Sequence, residues 1–280
     1  MNILITGAHG QLGKELEKQL CTSHSVIGLG KKDLDITNKI QVDHLISHYK
    51  PQLIIHAAAF TAVDQCEIEP KKAMEVNALG TQYIAHAANK IQARLFYISS
   101  DYVFDGKKNK PYTEEDEPNP QSIYGLSKWL GEQLTRHCYH STIIRTSWLY
   151  GHGGNNFVKT MLNLSKKGKE IKVVNDQLGS PTYVNDLTEM IIQLMDKKNG
   201  IYHISNSGSC TWNEFARAIF EEAGVNPDLV LPITTGEYKA LAPRPQFSVF
   251  SHQALLREEI ARPRLWKEAL KEFIRKETSQ

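Results

Sequence analysis

Short apolar runs alternate with longer stretches whose apolar residues recur at helical spacing along the first half of the chain. Apolar runs of this length, bounded by glycine and polar residues, are typical of strands that are buried on both faces of a parallel sheet. Strands that alternate with helices predict an α/β fold with a Rossmann-type doubly wound parallel sheet. We predict strands at residues 2–6, 25–29, 53–56, 95–99 and 142–146, and helices at residues 12–20, 38–49, 70–89 and 122–134.

A glycine-rich turn joins the first predicted strand to the first helix. Gly7, Gly10 and Gly13 have the spacing G-x-x-G-x-x-G. The first glycine permits a tight turn, the second lets the backbone approach a pyrophosphate, and the third lets the helix pack close to the sheet. The N-terminus of the helix supplies unpaired N–H groups for the phosphates. This strand–turn–helix context predicts a bound dinucleotide.

The end of the second predicted strand indicates which dinucleotide is used. In units that bind NAD, an acidic residue near this position often holds the ribose hydroxyls. Here the sequence is Gly30-Lys31-Lys32. Two lysines without an adjacent carboxylate suit a 2′-phosphate, so NADPH is the predicted cofactor. Acceptance of NADH stays open because Asp33 and Asp35 follow closely.

Tyr124 and Lys128 are the strongest candidates for proton transfer. They stand four residues apart in a predicted helix and therefore share one face of it. A lysine cation close to a phenol favours the phenolate and lowers its pKa, which suits movement of a proton on or off an alcohol or carbonyl oxygen. Ser100 follows the fourth predicted strand, where ligands of parallel sheets bind. It is either a hydrogen-bond partner of the same oxygen or a serine that only caps the turn.

The pattern changes beyond residue 150, where strands become shorter and proline turns more frequent. We therefore expect an NADP(H)-binding Rossmann domain at residues 1–150 and a smaller, mainly substrate-binding α/β lobe at residues 151–280, with a discontinuous boundary. In this second part Arg244 stands between Pro243 and Pro245. A guanidinium presented so stiffly suits a phosphate, although a surface arginine is the simpler interpretation.

Composition narrows the choice of partners and compartment. The net charge of +2 comes from interspersed signs, which gives no case for nucleic acid. No apolar run reaches the roughly 20 residues of a membrane helix, and no secretion signal is evident. Since the four cysteines are widely scattered, reduced thiols are expected rather than a disulfide framework or a zinc site. We therefore expect a cytoplasmic protein that does not bind a membrane.

Several blocks of the sequence resemble known enzymes. The glycine motif, the segment SSDYVFDG that begins at Ser99, and Tyr-x-x-x-Lys look like the extended short-chain dehydrogenase/reductase superfamily. Within that superfamily, further blocks resemble the dTDP-4-dehydrorhamnose reductases and span nearly the whole chain in the family's order. These blocks are AAAFTAVD at 57–64, RTSWLYG at 145–151, NNF at 155–157, NDQ at 175–177 with Gly179, Pro181 and Thr182, and RP at 244–245.

The resemblance implies reduction of the C4 keto group of dTDP-4-dehydro-β-L-rhamnose by NADPH, which gives dTDP-β-L-rhamnose. It implies that Tyr124 protonates the C4 oxygen, that Lys128 lowers the pKa of Tyr124 and binds the nicotinamide ribose, and that Ser100 hydrogen-bonds the reacting oxygen. Asp101, Trp148 and Arg244 would contact the nucleotide sugar, together with Ser100 and Tyr124. The expected cofactor contacts are Gly7, Gly10, Gln11, Leu12, Gly13, Lys31, Asp35, Ile36, Ala57, Ala58, Ala59, Thr61, Tyr124 and Lys128.

The families that this sequence resembles include proteins with other activities and assemblies, which leave alternatives for this chain. Some reductases of this family dimerise through a metal ion held by a glutamate at the place of Glu15. The other ligands are not recognised here, so no metal is predicted and a homodimer stays open. Related dehydratases carry Asp-Glu where this chain has Asp101-Tyr102, which disfavours dehydration. The remaining alternatives are a reductase of another dTDP-4-keto-6-deoxy sugar and a regulatory, nucleotide-binding subunit of methionine adenosyltransferase type.

Overall fold

A computed structural model describes residues 1–279. Its central sheet has six parallel strands, which confirms the predicted α/β fold. Three pairs of short strands lie outside this sheet. The strands are β1 (Asn2–Thr6), β2 (Ser25–Leu29), β3 (Leu53–His56), β4 (Arg94–Ser100), β5 (Ser141–Thr146), β6 (Leu149–Tyr150), β7 (Ile171–Val174), β8 (Leu178–Gly179), β9 (Thr182–Tyr183), β10 (Ile201–His203), β11 (Cys210–Thr211) and β12 (Val230–Ile233).

The helices connect these strands, and one predicted helix is interrupted. The helix expected at residues 70–89 is divided by a π-helical segment at Glu75–Leu79. Such segments are frequent at functional sites. The α-helices are α1 (Gln11–Leu20), α2 (Lys39–Tyr49), α3 (Val63–Ile68), α4 (Pro70–Met74), α5 (Gly80–Lys90), α6 (Ile123–Thr135), α7 (Phe157–Ser165), α8 (Val184–Leu194), α9 (Trp212–Glu222), α10 (Thr235–Tyr238), α11 (Gln253–Arg257) and α12 (Trp266–Thr278).

Alternate residues of the inner strands face two different cores, as a doubly wound sheet requires. Ile3 and Ile5 of β1 pack in one core with residues of α1 and α8. Leu4, which lies between them, packs in a second core with Val42 of α2 and Ile84 of α5. Because both faces of the strand are buried, the sequence shows a continuous apolar run there instead of alternation.

The order of the strands locates the ligand-binding edge. The six strands lie in the order β10-β5-β4-β3-β1-β2. The chain therefore forms β2 on one side of β1 and then crosses back to form β3 on the other side. In open α/β sheets, ligands bind at the carboxyl ends of the strands beside such a switch point. Gly7 follows β1 and Ala57 follows β3, so both lie at this edge.

The part of the chain beyond residue 150 returns once to the central sheet, where β10 pairs with β5. Its other strands form separate pairs, among them β7 with β12 and β8 with β11. The division of the chain at residue 150 stays a prediction. Within residues 1–279, none of the helices combines the length and apolar character that crossing a membrane requires.

Candidate active site

A cleft of about 720 Å³ opens at the carboxyl ends of the central strands. Every cofactor residue expected from the sequence lines it, and so do Ser100, Asp101, Tyr124, Lys128 and Trp148. Arg244 does not line it. The structure thus brings together all of the expected site residues except one.

The glycine turn lies at one end of the cleft with its backbone close to the next loop. Gly7 has φ +71°, and a Cβ atom there would lie 2.7 Å from the backbone nitrogen of Ala58. A Cβ atom at Gly13 would lie 2.3 Å from the carbonyl oxygen of Gly7, so α1 can approach only with glycine at this place. Gly10 is the N-cap of α1, and no side chain caps that helix. Its first N–H groups are therefore available for an anion, which fits the phosphates of a dinucleotide.

The side chain of His9 lies against the end of β2, a contact that the sequence does not reveal. A Cβ atom at Gly30 would lie 2.1 Å from Nδ1 of His9, so the glycine makes room for the imidazole ring. The ring Nε2 lies 3.8 Å from Oδ2 of Asp33. His9 belongs to the glycine turn, and only the folded chain brings that turn beside Gly30.

Asp33 and Asp35, the two acidic residues that left acceptance of NADH as an alternative, are both hydrogen-bonded within their own loop. Asp33 accepts the N–H of Gly30 at 2.9 Å. Asp35 accepts the backbone N–H of Thr37 at 3.0 Å and its hydroxyl at 2.7 Å. These hydrogen bonds lower the pKa of Asp35. Lys31 lines the cleft together with Asp35.

The loop after β3 is tied to the helix that carries the candidate acid. Asn77, in the π-helical segment, accepts the N–H of Phe60 at 2.7 Å and donates to the carbonyl oxygen of Phe60 at 3.0 Å. Its amide also donates to the hydroxyl of Ser127 at 2.9 Å. Asn77 therefore links the cofactor side of the cleft to α6. Sequence reasoning missed it because a lone asparagine inside a helical pattern carries no distinctive signal.

Tyr124 lies in the first turn of α6 and points into the cleft. The hydroxyl of Ser122 accepts the N–H of Gly125 at 3.1 Å and so fixes the start of the helix. A Cβ atom at Gly125 would lie 2.1 Å from the carbonyl oxygen of Tyr102, which allows the two segments to touch. Burial raises the pKa of Tyr124, and hydrogen bonding with Ser100 opposes that shift.

Lys128 is buried one turn further along α6. Its Nζ donates to the carbonyl oxygen of Ile98 at 2.6 Å and lies 4.3 Å from the centre of the Tyr97 ring. Burial lowers its pKa to about 7, although Glu132 acts in the opposite direction. We expected Lys128 to lower the pKa of Tyr124. In the structure the phenol pKa is raised instead, because burial dominates and the ammonium group is directed to a backbone carbonyl.

Ser100 and Asp101 end β4 side by side within the cleft. The hydroxyl of Ser100 donates to Oδ1 of Asp101 at 2.9 Å and accepts the N–H of Tyr102 at 3.2 Å. Ser100 therefore caps a 3₁₀ turn and also lines the cleft, while its hydrogen bond to a substrate oxygen stays a prediction. Burial raises the pKa of Asp101 to about 6, and hydrogen bonds from Ser248 and Ser100 oppose the shift. Among the residues described, nothing pairs with Oδ2 of Asp101.

Aromatic side chains form another part of the wall of the cleft. Trp148 lines the cleft as expected, and Trp212 lies against it with its ring centre 3.5 Å away. Trp212 is the first residue of α9 and follows Thr211, which forms a capping box with Glu214, a pattern that a sequence can reveal. That signal locates the helix but does not tell which surface the first side chain faces.

Arg244 lines a neighbouring cavity of about 340 Å³, which shares Tyr102 with the main cleft. Its guanidinium lies 2.9 Å from Oδ2 of Asp64 and donates to the carbonyl oxygen of Ala242 at 3.0 Å. The expected contact of Arg244 with a nucleotide sugar therefore stays a prediction. The structure places this arginine beside the cleft and not in its wall.

Glu15 stands where some members of the family that the sequence resembles have a metal ligand. In this structure its side chain is hydrogen-bonded within α1. Its Oε1 accepts the side-chain amide of Gln19 at 2.8 Å. In the described part of the chain, no three side chains of His, Cys, Asp or Glu are grouped as metal ligands are.

Comparison with known proteins identifies the family. The family model for the RmlD substrate binding domain matches residues 1–279. The spore coat polysaccharide biosynthesis protein SpsK of Bacillus subtilis is 50% identical over 99% of this chain and 98% of its own. The dTDP-4-dehydrorhamnose reductase of Aggregatibacter actinomycetemcomitans is 43% identical over 96% of this chain and 97% of its own.

A solved structure agrees with these relatives. The dTDP-4-dehydrorhamnose reductase of Bacillus anthracis, crystallised in complex with NADP, is 46% identical and superposes with a TM-score of 0.96. The match covers 98% of this chain and 99% of that one. The chain therefore belongs to the RmlD substrate binding domain family, together with the dTDP-4-dehydrorhamnose reductases.

Proposed function

We propose that this chain is an NADPH-dependent reductase that converts dTDP-4-dehydro-β-L-rhamnose to dTDP-β-L-rhamnose. The observation that carries the proposal is the convergence of Ser100, Tyr124 and Lys128 on one cleft whose far end is the glycine turn. A cofactor site and a proton donor thus share a single cavity. The reductases among the relatives support the choice of substrate.

The residues at the glycine turn fit an anionic dinucleotide. The uncapped N-terminus of α1 and the close backbone at Gly7 suit a pyrophosphate. Lys31 suits the 2′-phosphate of NADPH, since Asp33 and Asp35 are already engaged by backbone and side-chain donors of their own loop. When bound, NADPH supplies the hydride for the substrate carbonyl carbon.

Tyr124 supplies the proton. Since burial raises its pKa, the phenol is protonated at neutral pH and enters the reaction as an O–H donor. The proton passes to the C4 oxygen of the sugar, so that ketone, hydride and proton together give the alcohol. Ser100 positions that oxygen, and the positive charge of Lys128 offsets part of the cost that burial imposes on the phenolate of Tyr124.

The nucleotide sugar extends from this point towards the aromatic wall. Asp101 and Trp148 contact the sugar. Arg244, which lines the neighbouring cavity, binds the pyrophosphate. Tyr102 borders both cavities, so one ligand can span them. This arrangement gives the C-terminal part of the chain, residues 151–280, a share of the substrate site.

The decisive experiment is NADPH oxidation with dTDP-4-dehydro-β-L-rhamnose, generated in situ from dTDP-glucose by the upstream enzymes, with the product identified by NMR. Formation of dTDP-β-L-rhamnose supports the proposal. If NADPH binds but this sugar is not reduced, other dTDP-4-keto-6-deoxy sugars are tested next. Turnover of one of them would identify a sister reductase, and turnover of none would favour a regulatory binding protein.

A further inference from the structure

The backbone of Trp148 adopts a conformation that a bulky residue rarely takes. Its φ of +48° lies in the left-handed region. A non-glycine residue stays there only when its surroundings hold it, and such strain concentrates at ligand sites. The neighbours of this indole should therefore explain why the conformation is kept.

Trp212 and Gly179 both lie against the indole of Trp148. The ring of Trp212 lies parallel to it, with 3.5 Å between ring centres and 8° between planes. Gly179 contacts the same indole, and a Cβ atom at that glycine would lie only 2.5 Å from ring atom Cε2. One neighbour supplies an aromatic face and the other supplies the space that lets the indole lie where it does.

Both neighbours belong to one rigid unit. Trp212 is the first residue of α9, whose start is fixed by two reciprocal bonds between Thr211 and Glu214, of 3.1 Å and 2.7 Å. Strand β11 ends at Thr211 and pairs with β8, which ends at Gly179. The helix start and the glycine are therefore held in register by the same two-stranded ladder.

The pair packs against the hydrophobic core but is not enclosed by it. Trp148, Trp212 and Phe215 all line the cleft, and the two indoles are partly exposed there whereas Phe215 is buried. A rigid indole face in the cleft offers apolar contact to a flat ring or to the apolar face of a sugar at little cost in conformational entropy.

We propose that Trp212 is a positioning residue of the substrate site, which fixes the indole of Trp148 in the wall that meets the nucleotide sugar. This inference rests on the proposed function. Trp212 acts through Trp148, so its removal should weaken binding of the nucleotide sugar without disturbing the cofactor end of the cleft or the proton donor.

The test compares Trp212→Leu, Trp212→Phe and Gly179→Ala with the unmodified chain, at saturating NADPH. Trp212→Leu removes the stacking face, and we expect KM for dTDP-4-dehydro-β-L-rhamnose to rise about threefold to tenfold. We expect kcat and the Kd of NADPH to change less than twofold. Trp212→Phe keeps an aromatic face and should restore most of the loss. Gly179→Ala adds a Cβ atom that pushes the indole of Trp148 out of its place. This variant should therefore raise KM although Trp212 is unchanged.

Circular dichroism shows whether the stack itself has been altered. Two parallel indoles in contact give a coupled signal, which should be present in the unmodified chain and absent in Trp212→Leu. A Trp212→Leu variant that has lost this signal but keeps the unmodified KM would overturn the inference. If the unmodified chain does not reduce this sugar, the proposed function itself is wrong. Activity of the unmodified chain therefore distinguishes failure of the proposed function from failure of this inference.

Discussion

Arg244 and Asp64 form an ion pair across 180 residues of sequence, with 2.9 Å between Nη2 and Oδ2. The other carboxylate oxygen of Asp64 accepts the N–H of Ala242, also at 2.9 Å. One side chain of α3 thus fastens both the proline-flanked turn and the guanidinium it presents. While this pair holds, Arg244 stays in the neighbouring cavity.

Replacement of Asp64 by Asn should release the guanidinium. Since Asp64 is about half exposed, the pair is of the moderate strength typical of surface ion pairs. We expect Asp64→Asn to lower KM for the nucleotide sugar about twofold to fivefold, because Arg244 no longer has to leave a carboxylate to meet the pyrophosphate. Steady-state kinetics at saturating NADPH measure this. Asp228→Asn, which breaks the exposed pair of Asp228 with Arg217, serves as the control. A rise in KM would mean that Asp64 orients Arg244 instead of restraining it.

Removal of the phenolic hydroxyl should separate chemistry from cofactor binding. We expect Tyr124→Phe to lower kcat about 100-fold to 10,000-fold, the usual contribution of a general acid. The Kd of NADPH should change little, since only the proton donor is lost. Fluorescence titration and single-turnover kinetics measure the two quantities. Tyr139→Phe, at a position 88% exposed, is the control. Near-full turnover by Tyr124→Phe would remove this residue from the role of donor.

The charge of Lys128 should appear in the pH profile. Burial lowers its pKa to about 7, so the cation is present below that pH and is lost above it. If the cation stabilises the phenolate, kcat/KM of the unmodified enzyme should fall as the pH rises through 7. In Lys128→Arg the residual activity should lack this decline, because a guanidinium stays charged. The same decline in both enzymes would assign it to another group.

Asp101 should make the free energy of unfolding depend on pH. Its pKa is raised from 3.8 to about 6, so the folded chain binds an extra proton between these values and loses stability as the pH rises through them. We expect Asp101→Asn to raise the free energy of unfolding by roughly 2–3 kcal/mol at pH 8 relative to its effect at pH 4. Urea unfolding at the two pH values measures the difference. An effect of equal size at both pH values would show that burial does not raise the pKa of Asp101.

Lys31 and Lys32 should contribute unequally to cofactor preference, because only Lys31 lines the cleft. We expect Lys31→Ala to raise KM for NADPH about fivefold to tenfold and to leave KM for NADH nearly unchanged, as loss of one phosphate contact predicts. Lys32→Ala is the matched control. An unchanged ratio of NADPH to NADH efficiency in Lys31→Ala would refute the assignment of the 2′-phosphate.

The sequence predicted those features that depend on neighbours along the chain. The glycine turn and the spacing of Tyr124 and Lys128 are local patterns, and both fall where expected. The stack of Trp148 on Trp212 and the pair of Arg244 with Asp64 depend on contacts between distant segments. The raised pKa of Tyr124 is of the same kind, since it follows from burial that no spacing rule reports.

Asn77 joins the loop after β3 to α6 and so connects the cofactor end of the cleft and the proton donor in a single frame. Tyr124 is therefore linked to the loop that lines the cofactor end of the cleft. Trp148, Trp212 and Arg244 are all mounted outside that frame. Under the proposed function, substitutions of Trp148, Trp212 or Arg244 should therefore change which sugar is accepted and leave the link between Tyr124 and the cofactor end of the cleft intact.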